Sequence, residues 1–407
     1  MPGLLPNVDP DGLLEYSVVY TDRALNHMSQ SFQGDMRYIS STLKSVYAAD
    51  QVAIVPGSGT FGMEAVARQF ATGKKTLVIR NGFFSYRWTQ ILDMGSIATS
   101  STVLKARQAQ TGDQEAFAPA PIDEVVAAIA RDKPAVVFAP HVETSAGIIL
   151  PNDYIKAVTD AVHAVGGIFV LDCIASGCLW VDMKALGVDV LISAPQKGWS
   201  GPPCCGLVMM SGAGVVALEA TTSTSFACDL KKWRDIMVIY ENGGHAYHAT
   251  VPTDAIAGFA AVMRETEAYG FDKVKSEQQE LGDAVRALLA SKGIKSVAAE
   301  GFGAPGVVVS YTQDAAVQNG SKFAALIITE KNHKKFKRIC NYLIYSIRLS
   351  KRQIKSGVDL SVPMLDGSIF TVNTVDLSIP INKKLSRRTF YGKGMPVRMN
   401  QSTNKSK

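Results

Sequence analysis

Between about residues 50 and 210 the chain alternates short β-rich runs with helical stretches, and that alternation narrows the possible folds more than any other property of the sequence. The strand candidates are VAIV (52–55), TLVIR (76–80), AVVFAP (135–140), IFVLD (168–172), VDVLIS (188–193) and GLVMMS (206–211). Between them lie helical segments such as GMEAVARQFATG (62–73), PIDEVVAAIARD (121–132) and PNDYIKAVTDAVHAVGG (151–167), the last ending in a Gly-Gly stop signal. The pattern predicts an α/β fold with a mainly parallel sheet. Strands this apolar are covered on both faces by helices, so polar chemistry is expected on the loops at their C-terminal ends.

The rest of the chain reads differently. A helical stretch over 254–294, broken near Tyr269-Gly270, leads to a predicted strand VVVSY (307–311). Residues 1–330 carry 25 Lys and Arg against 33 Asp and Glu, whereas residues 331–407 carry 17 against 3. Such asymmetry marks two unlike parts. We expect a large domain over 1–250, a partial small domain over 251–326 and an atypical basic, β-rich tail over 327–407. With 47% hydrophobic and 19% charged residues in 407, a large core is available and chain-wide disorder is excluded.

No run approaches the roughly 20 apolar residues of a membrane helix, and the opening MPGLLPNVDPDGLLEY has no basic stretch followed by an apolar one. A soluble, non-secreted protein is expected, with no membrane partner. The six cysteines show no metal spacing and read as reduced thiols, mostly buried. No metal is expected. The basic tail has no accompanying nucleic-acid motif, so no nucleic-acid partner is expected either.

Three groups at the strand ends carry the chemistry. VPGSGTFGMEA (55–65) is a Gly-rich turn running into a helix, with Ser58, Gly59 and Thr60 at the turn; N–H groups there suit a phosphate, although such turns are more often caps alone. Asp172 closes the apolar run GIFVLD, where a carboxylate either caps a turn or sits beside a cation. Lys197 follows VDVLISAPQ and precedes the constrained loop GWSGPPCCG; a lone loop lysine is nearly always a solvated charge, but this context is what an amine needs if it is to react as a nucleophile. A phosphate turn, a strand-end Asp and, twenty-five residues later, a strand-end Lys form the arrangement expected for pyridoxal 5'-phosphate. The lysine attaches the cofactor and the aspartate keeps its ring nitrogen protonated.

From about 20 to 325 the sequence resembles the class V aminotransferases of the fold-type-I pyridoxal-phosphate enzymes, in particular the alanine–glyoxylate/serine–pyruvate group. The matching stretches are GSGTFGMEA, NGFFSYR, HVETSAG, VLDCIASG, SAPQKGWSGPPCCGLV and YENGGHAYHATVPTD. The resemblance implies that Lys197 is catalytic and cofactor-bound, that Asp172 pairs with the ring nitrogen, and that Ser58, Gly59, Thr60 and Gln196 hold the phosphate. It further implies that Phe84 stacks on the ring, that Ile174 packs on the opposite face, and that Thr144 or Ser145 reaches the phenolic oxygen or its surroundings. Tyr247 and Thr250 match residues donated to the neighbouring subunit's phosphate, which implies a homodimer with shared active sites. Pro195 stands where a small residue is usual, and a local backbone adjustment is expected there.

The resemblance implies a transaminase moving nitrogen from alanine or serine to glyoxylate or pyruvate. Phosphoserine or aminoethylphosphonate transaminases are alternatives, as is a cofactor-binding protein that has lost turnover. A cysteine desulfurase fits less well, because Cys340 lacks a supporting motif. The family's carboxylate-binding arginine motif is missing beyond about residue 326, and Arg348 is the candidate replacement. Residues 350–407, with VPMLDG and GKGMP, weakly resemble the C-terminal domain of type II J-domain co-chaperones. The default compartment is the cytoplasm, with the peroxisome as the alternative because family members can be peroxisomal; the chain ends in NKSK instead of an S-K-L-type signal.

Overall fold

The structure is a computed structural model and describes residues 25–108, 110–313, 336–339, 342–345, 359–363 and 369–373. It divides into two compact units, Met1–Asn319 and Gly320–Lys407. The first is built on a seven-stranded sheet. Its strands are Gln51–Pro56 (β1), Lys75–Arg80 (β2), Ser100–Lys105 (β3), Val136–Pro140 (β4), Ile168–Asp172 (β5), Val190–Ser193 (β6) and Cys205–Met210 (β7). They lie in the order β3-β2-β4-β5-β6-β7-β1, an α/β sheet of mostly parallel pairs. β7 is antiparallel to both neighbours, with Gln51 opposite Met210 on one side and Ser193 opposite Leu207 on the other.

Six of the seven strands coincide with apolar runs in the sequence, and every residue of β4 and β7 is buried. β3 was not among them. Four of the six residues of its sequence SSTVLK are polar and none is fully buried, as suits an edge strand. Helices cover the strands. α1 (Gln30–Tyr47) is capped by Ser29, which accepts the Phe32 N–H at 3.2 Å, and it buries Phe32, Met36, Ile39, Leu43 and Tyr47 along one face. α2 (Gly59–Phe70) follows β1, α3 (Phe83–Met94) follows β2, α4 (Ile122–Asp132) precedes β4, and α5 (Asn152–Ala164) precedes β5.

An aromatic cluster of Tyr47, Trp180, Trp199, Phe259 and Phe271 lies under the loops that leave β5 and β6. Trp180 and Trp199 are 4.6 Å apart, and Trp199 meets Phe259 and Phe271 edge-on at 6.0 Å. Burial of one such side chain contributes roughly 2–3 kcal/mol, so the loop carrying Trp199 is firmly anchored. The helices Thr253–Tyr269 and Phe271–Ser291 meet at Gly270, whose φ of 105° favours glycine and ends the first helix where the sequence places a break. The predicted strand at 307–311 is reduced to one bridge, Ser296 to Ser310, because its partner is a short turn-bound segment.

The second unit contributes two antiparallel pairs, Phe336–Ile339 with Tyr342–Tyr345 and Asp359–Pro363 with Ile369–Asn373. Asp359, Ser361 and Thr371 are exposed, in keeping with the alternation of that stretch. Among the described residues, no helix is long and apolar enough to cross a membrane, and none of the five described cysteines is in a disulfide.

Candidate active site

The turns after β1, β5 and β6 come together at one end of the sheet. A Cβ on Gly59 would lie 2.7 Å from Ile174 Cδ1 and 3.2 Å from Ala194 Cβ, so any side chain there would force Ile174 to shift. Gly57, at φ 120°, makes the turn itself, and its N–H donates to Cys204 O at 2.9 Å. Ser58 occupies the N-cap of α2 with an extended backbone, yet its side chain makes no capping bond. Ser29, Asp182, Ser211 and Asp229 all cap their helices in the ordinary way. The Ser58 hydroxyl and the first N–H groups of α2 are therefore left for another acceptor or donor.

Asp172 ends β5 and is buried. It accepts one hydrogen bond, from the Ile174 N–H at 3.0 Å, and has no ion pair among the described residues. Burial, with a smaller push from Glu143, raises its carboxyl to about 6 against the opposing influence of the Ile174 N–H hydrogen bond and, less, of Arg87. Its backbone carbonyl accepts the His141 N–H at 2.8 Å. His141 is buried, shares a 2.7 Å hydrogen bond with Ser176 Oγ, and is pushed down to about 4 by burial, so it is a neutral neighbour at pH 7.

Lys197 is exposed on the loop after β6. Two residues on, Trp199 is locked into the aromatic cluster, and Gly198 sits so close to the β5 loop that a Cβ would come 1.8 Å from Gly177 O. After Pro195 the chain loops back, with Gly201 N–H donating to Pro195 O at 2.7 Å and Ser200 in a left-handed conformation. Gln196 Oε1 is buried without a hydrogen-bond partner among the described residues.

Phe84 and Ser145 are joined to this group through two residues that sequence reasoning missed. Arg87 donates to Thr60 Oγ1 at 3.1 Å and lies 5.5 Å from the centre of the Phe84 ring. Glu143 is fully buried and accepts from the N–H groups of Phe84 (3.1 Å), Ser85 (2.9 Å) and Ser145 (3.1 Å) and from the hydroxyls of Ser85 (2.7 Å) and Ser145 (2.6 Å). Each was the charged residue inside a motif already singled out, NGFFSYR and HVETSAG, and that was the available signal. The Ser145 hydroxyl is thus committed to Glu143, whereas Thr144 is partly buried and its hydroxyl makes no hydrogen bond among the described residues.

Tyr247 and Thr250 are both exposed. Tyr247 is 66% exposed, its hydroxyl is 3.3 Å from Thr250 Oγ1, and its ring is 5.6 Å from that of His27. Arg348 lies outside the described residues, as does most of the stretch likened to a co-chaperone.

A family model described as "Aminotransferase class-V" matches residues 13–309. The chain is 26% identical over 258 residues to an L-aspartate–glyoxylate aminotransferase of Paracoccus denitrificans, covering 63% of this chain and 62% of that relative's length. It is 25% identical to alanine–glyoxylate aminotransferase 1 of Saccharomyces cerevisiae, over 64% of this chain and 69% of that one. It is 30% identical to a 2-aminoethylphosphonate–pyruvate transaminase of Syntrophobacter fumaroxidans, over 61% and 62%. In fold it is similar to an alanine–glyoxylate aminotransferase from Nostoc sp., with a TM-score of 0.63, 19% identity, and coverage of 79% of this chain and 80% of the other.

Proposed function

The chain belongs to the class V aminotransferase family, a pyridoxal-phosphate-dependent fold family, and on that premise we propose that it is a transaminase moving an amino group from alanine or serine to glyoxylate or pyruvate. One observation carries the reading. A helix N-terminus free of any side-chain cap and a buried carboxylate without an ion pair share one end of the sheet, which suits a group with a phosphate at one end and a protonated nitrogen at the other.

The residues present fit pyridoxal phosphate. Ser58, Gly59, Thr60 and Gln196 would hold the phosphate, and the glycine leaves room where a side chain would strike Ile174. Asp172 would hold the ring nitrogen in its protonated form and would itself be stabilised as a carboxylate by that positive charge. Phe84 and Ile174 would bound the ring, with Thr144 or Ser145 near its phenolic oxygen. When bound, the cofactor supplies an electron sink for the pair left at the substrate's α-carbon. Lys197 would attach it through its amine and then carry the proton taken from that carbon. The exposed Tyr247 and Thr250 would serve the phosphate of the neighbouring subunit in a homodimer. Arg348 remains the candidate for the substrate carboxylate, since a guanidinium matches that group in two parallel hydrogen bonds.

The test is an absorbance spectrum of the purified protein with pyridoxal phosphate, before and after L-alanine, L-serine and aminoethylphosphonate added separately. A visible band that L-alanine or L-serine converts, with ping-pong kinetics toward glyoxylate or pyruvate, supports the reading. Lys197→Ala should remove the band and lower transfer by at least about 10³-fold. A band that no donor alters marks a cofactor-binding protein without turnover. Conversion by aminoethylphosphonate alone favours a phosphonate transaminase, a reading supported by the Syntrophobacter relative and by Arg87, which has no carboxylate ion pair among the described residues.

A further inference from the structure

We propose that Glu143 is a positioning residue of this site, holding the ring-stacking Phe84 and the loop of Thr144 and Ser145 in fixed register around the cofactor. The inference rests on the functional reading above. Glu143 comes from the loop after β4, whereas Phe84 and Ser85 open α3, which follows β2. A fully buried carboxylate is strongly disfavoured unless hydrogen bonds replace its water, and here five donors from two separate loops do so.

Capping α3 alone would not need this arrangement. Where another described helix has a side-chain cap, it is a local Ser or Asp that accepts an N–H of its own helix. At α3 the acceptor is drawn from another strand's loop, and Oε1 divides itself between the Phe84 N–H and the N–H and hydroxyl of Ser145. The Ser145 hydroxyl closes the link by accepting the Phe83 N–H at 2.8 Å. The two loops are so close that a Cβ on Gly82 would lie 2.2 Å from Ser145 Oγ and 2.7 Å from Glu143 Cγ. Thr144, between Glu143 and Ser145, is held by the same bonds. Glu143 touches neither Lys197 nor Asp172 by hydrogen bond, so it acts through the groups it places.

The test uses the full-length protein loaded with pyridoxal phosphate and compares the wild type with Glu143→Gln and Glu143→Asp. The first keeps the length and loses the charge; the second keeps the charge and loses the reach. Far-ultraviolet circular dichroism checks folding, and two readouts follow: visible circular dichroism per mole of bound cofactor, and the rate of amino transfer. Both variants should bind cofactor with diminished visible dichroism, and transfer should fall about 10²-fold, the scale of a misplacement of about 1 Å. Wild-type values in both variants would overturn the inference and leave the functional reading standing. Failure of the wild type to take up cofactor would overturn both. If neither Glu143 variant is soluble, Ser145→Ala, at an exposed position, cuts the same link from the other end and should lower both readouts; unchanged readouts there would overturn the inference.

Discussion

Two helices begin at the same end of the sheet and treat their N-termini in opposite ways. α3 is closed: Ser145 Oγ takes the Phe83 N–H, and Glu143 takes those of Phe84 and Ser85. α2 is open, with a serine in the capping position that does not cap. The carboxylates nearby divide in the same way. Glu143 has five donors, whereas Asp172 has one. One half of this end of the sheet is internally satisfied and rigid, and the other keeps its positive helix end and its negative carboxylate unmet. The difference teaches that an anion-seeking helix end persists here because the chain withholds its own anion from it.

Removing the unmet carboxylate should give the largest change. The folded-state Asp172 titrates near 6 against an ordinary 3.8, so between those pH values the folded protein holds a proton that the unfolded chain has released. Stability from this group is therefore present below about pH 4 and is lost as pH rises to about 6. The buried His141, lowered to about 4 from 6.5, has the opposite slope, because the unfolded chain binds the proton that the folded one refuses. In cofactor-free protein, the stability of Asp172→Asn relative to wild type should rise by about 2 kcal/mol from pH 4 to 6, and denaturant unfolding at the two pH values measures it. A difference that stays constant would mean that Asp172 is not desolvated.

Filling the open half comes next. Gly59→Ala places a methyl group 2.7 Å from Ile174 Cδ1, which must shift. Cofactor affinity should drop by about 10²-fold while the fold survives at a cost of about 1–3 kcal/mol, read by equilibrium dialysis and thermal unfolding. The smallest effect should come from Ser58→Asp, which gives α2 an acidic cap of its own. Cofactor-free stability should rise by about 0.5–1 kcal/mol and cofactor affinity should fall about tenfold, since a fixed carboxylate competes with the phosphate. Tighter cofactor binding in that variant would break the comparison between the two helices.

Much of this was legible in the sequence, for reasons that differ by residue. Uninterrupted apolar runs gave away β4, β5 and β7, because strands buried on both faces have little freedom of composition. β3 was illegible because an edge strand tolerates SSTVLK. The reversed direction of β7 leaves no mark on composition. Gly59, Asp172 and Lys197 stood out as breaks in apolar context. Glu143 did not, since its importance lies in donors from residues about sixty positions away in the chain.

The placement of β7 also fixes when the site can exist. β1 lies at the sheet's border and pairs with β7, so Gln51 must wait for Met210. At a synthesis rate of roughly 5–20 residues per second, the turn that bears Ser58 and Gly59 emerges about 8–30 s before the strand that supports it. During that interval the apolar edge of QVAIVP has no ladder partner of its own. Chaperone protection should matter most in this window, and capture of cofactor should be among the last events of folding, after the sheet has closed the longest of its strand-to-strand connections.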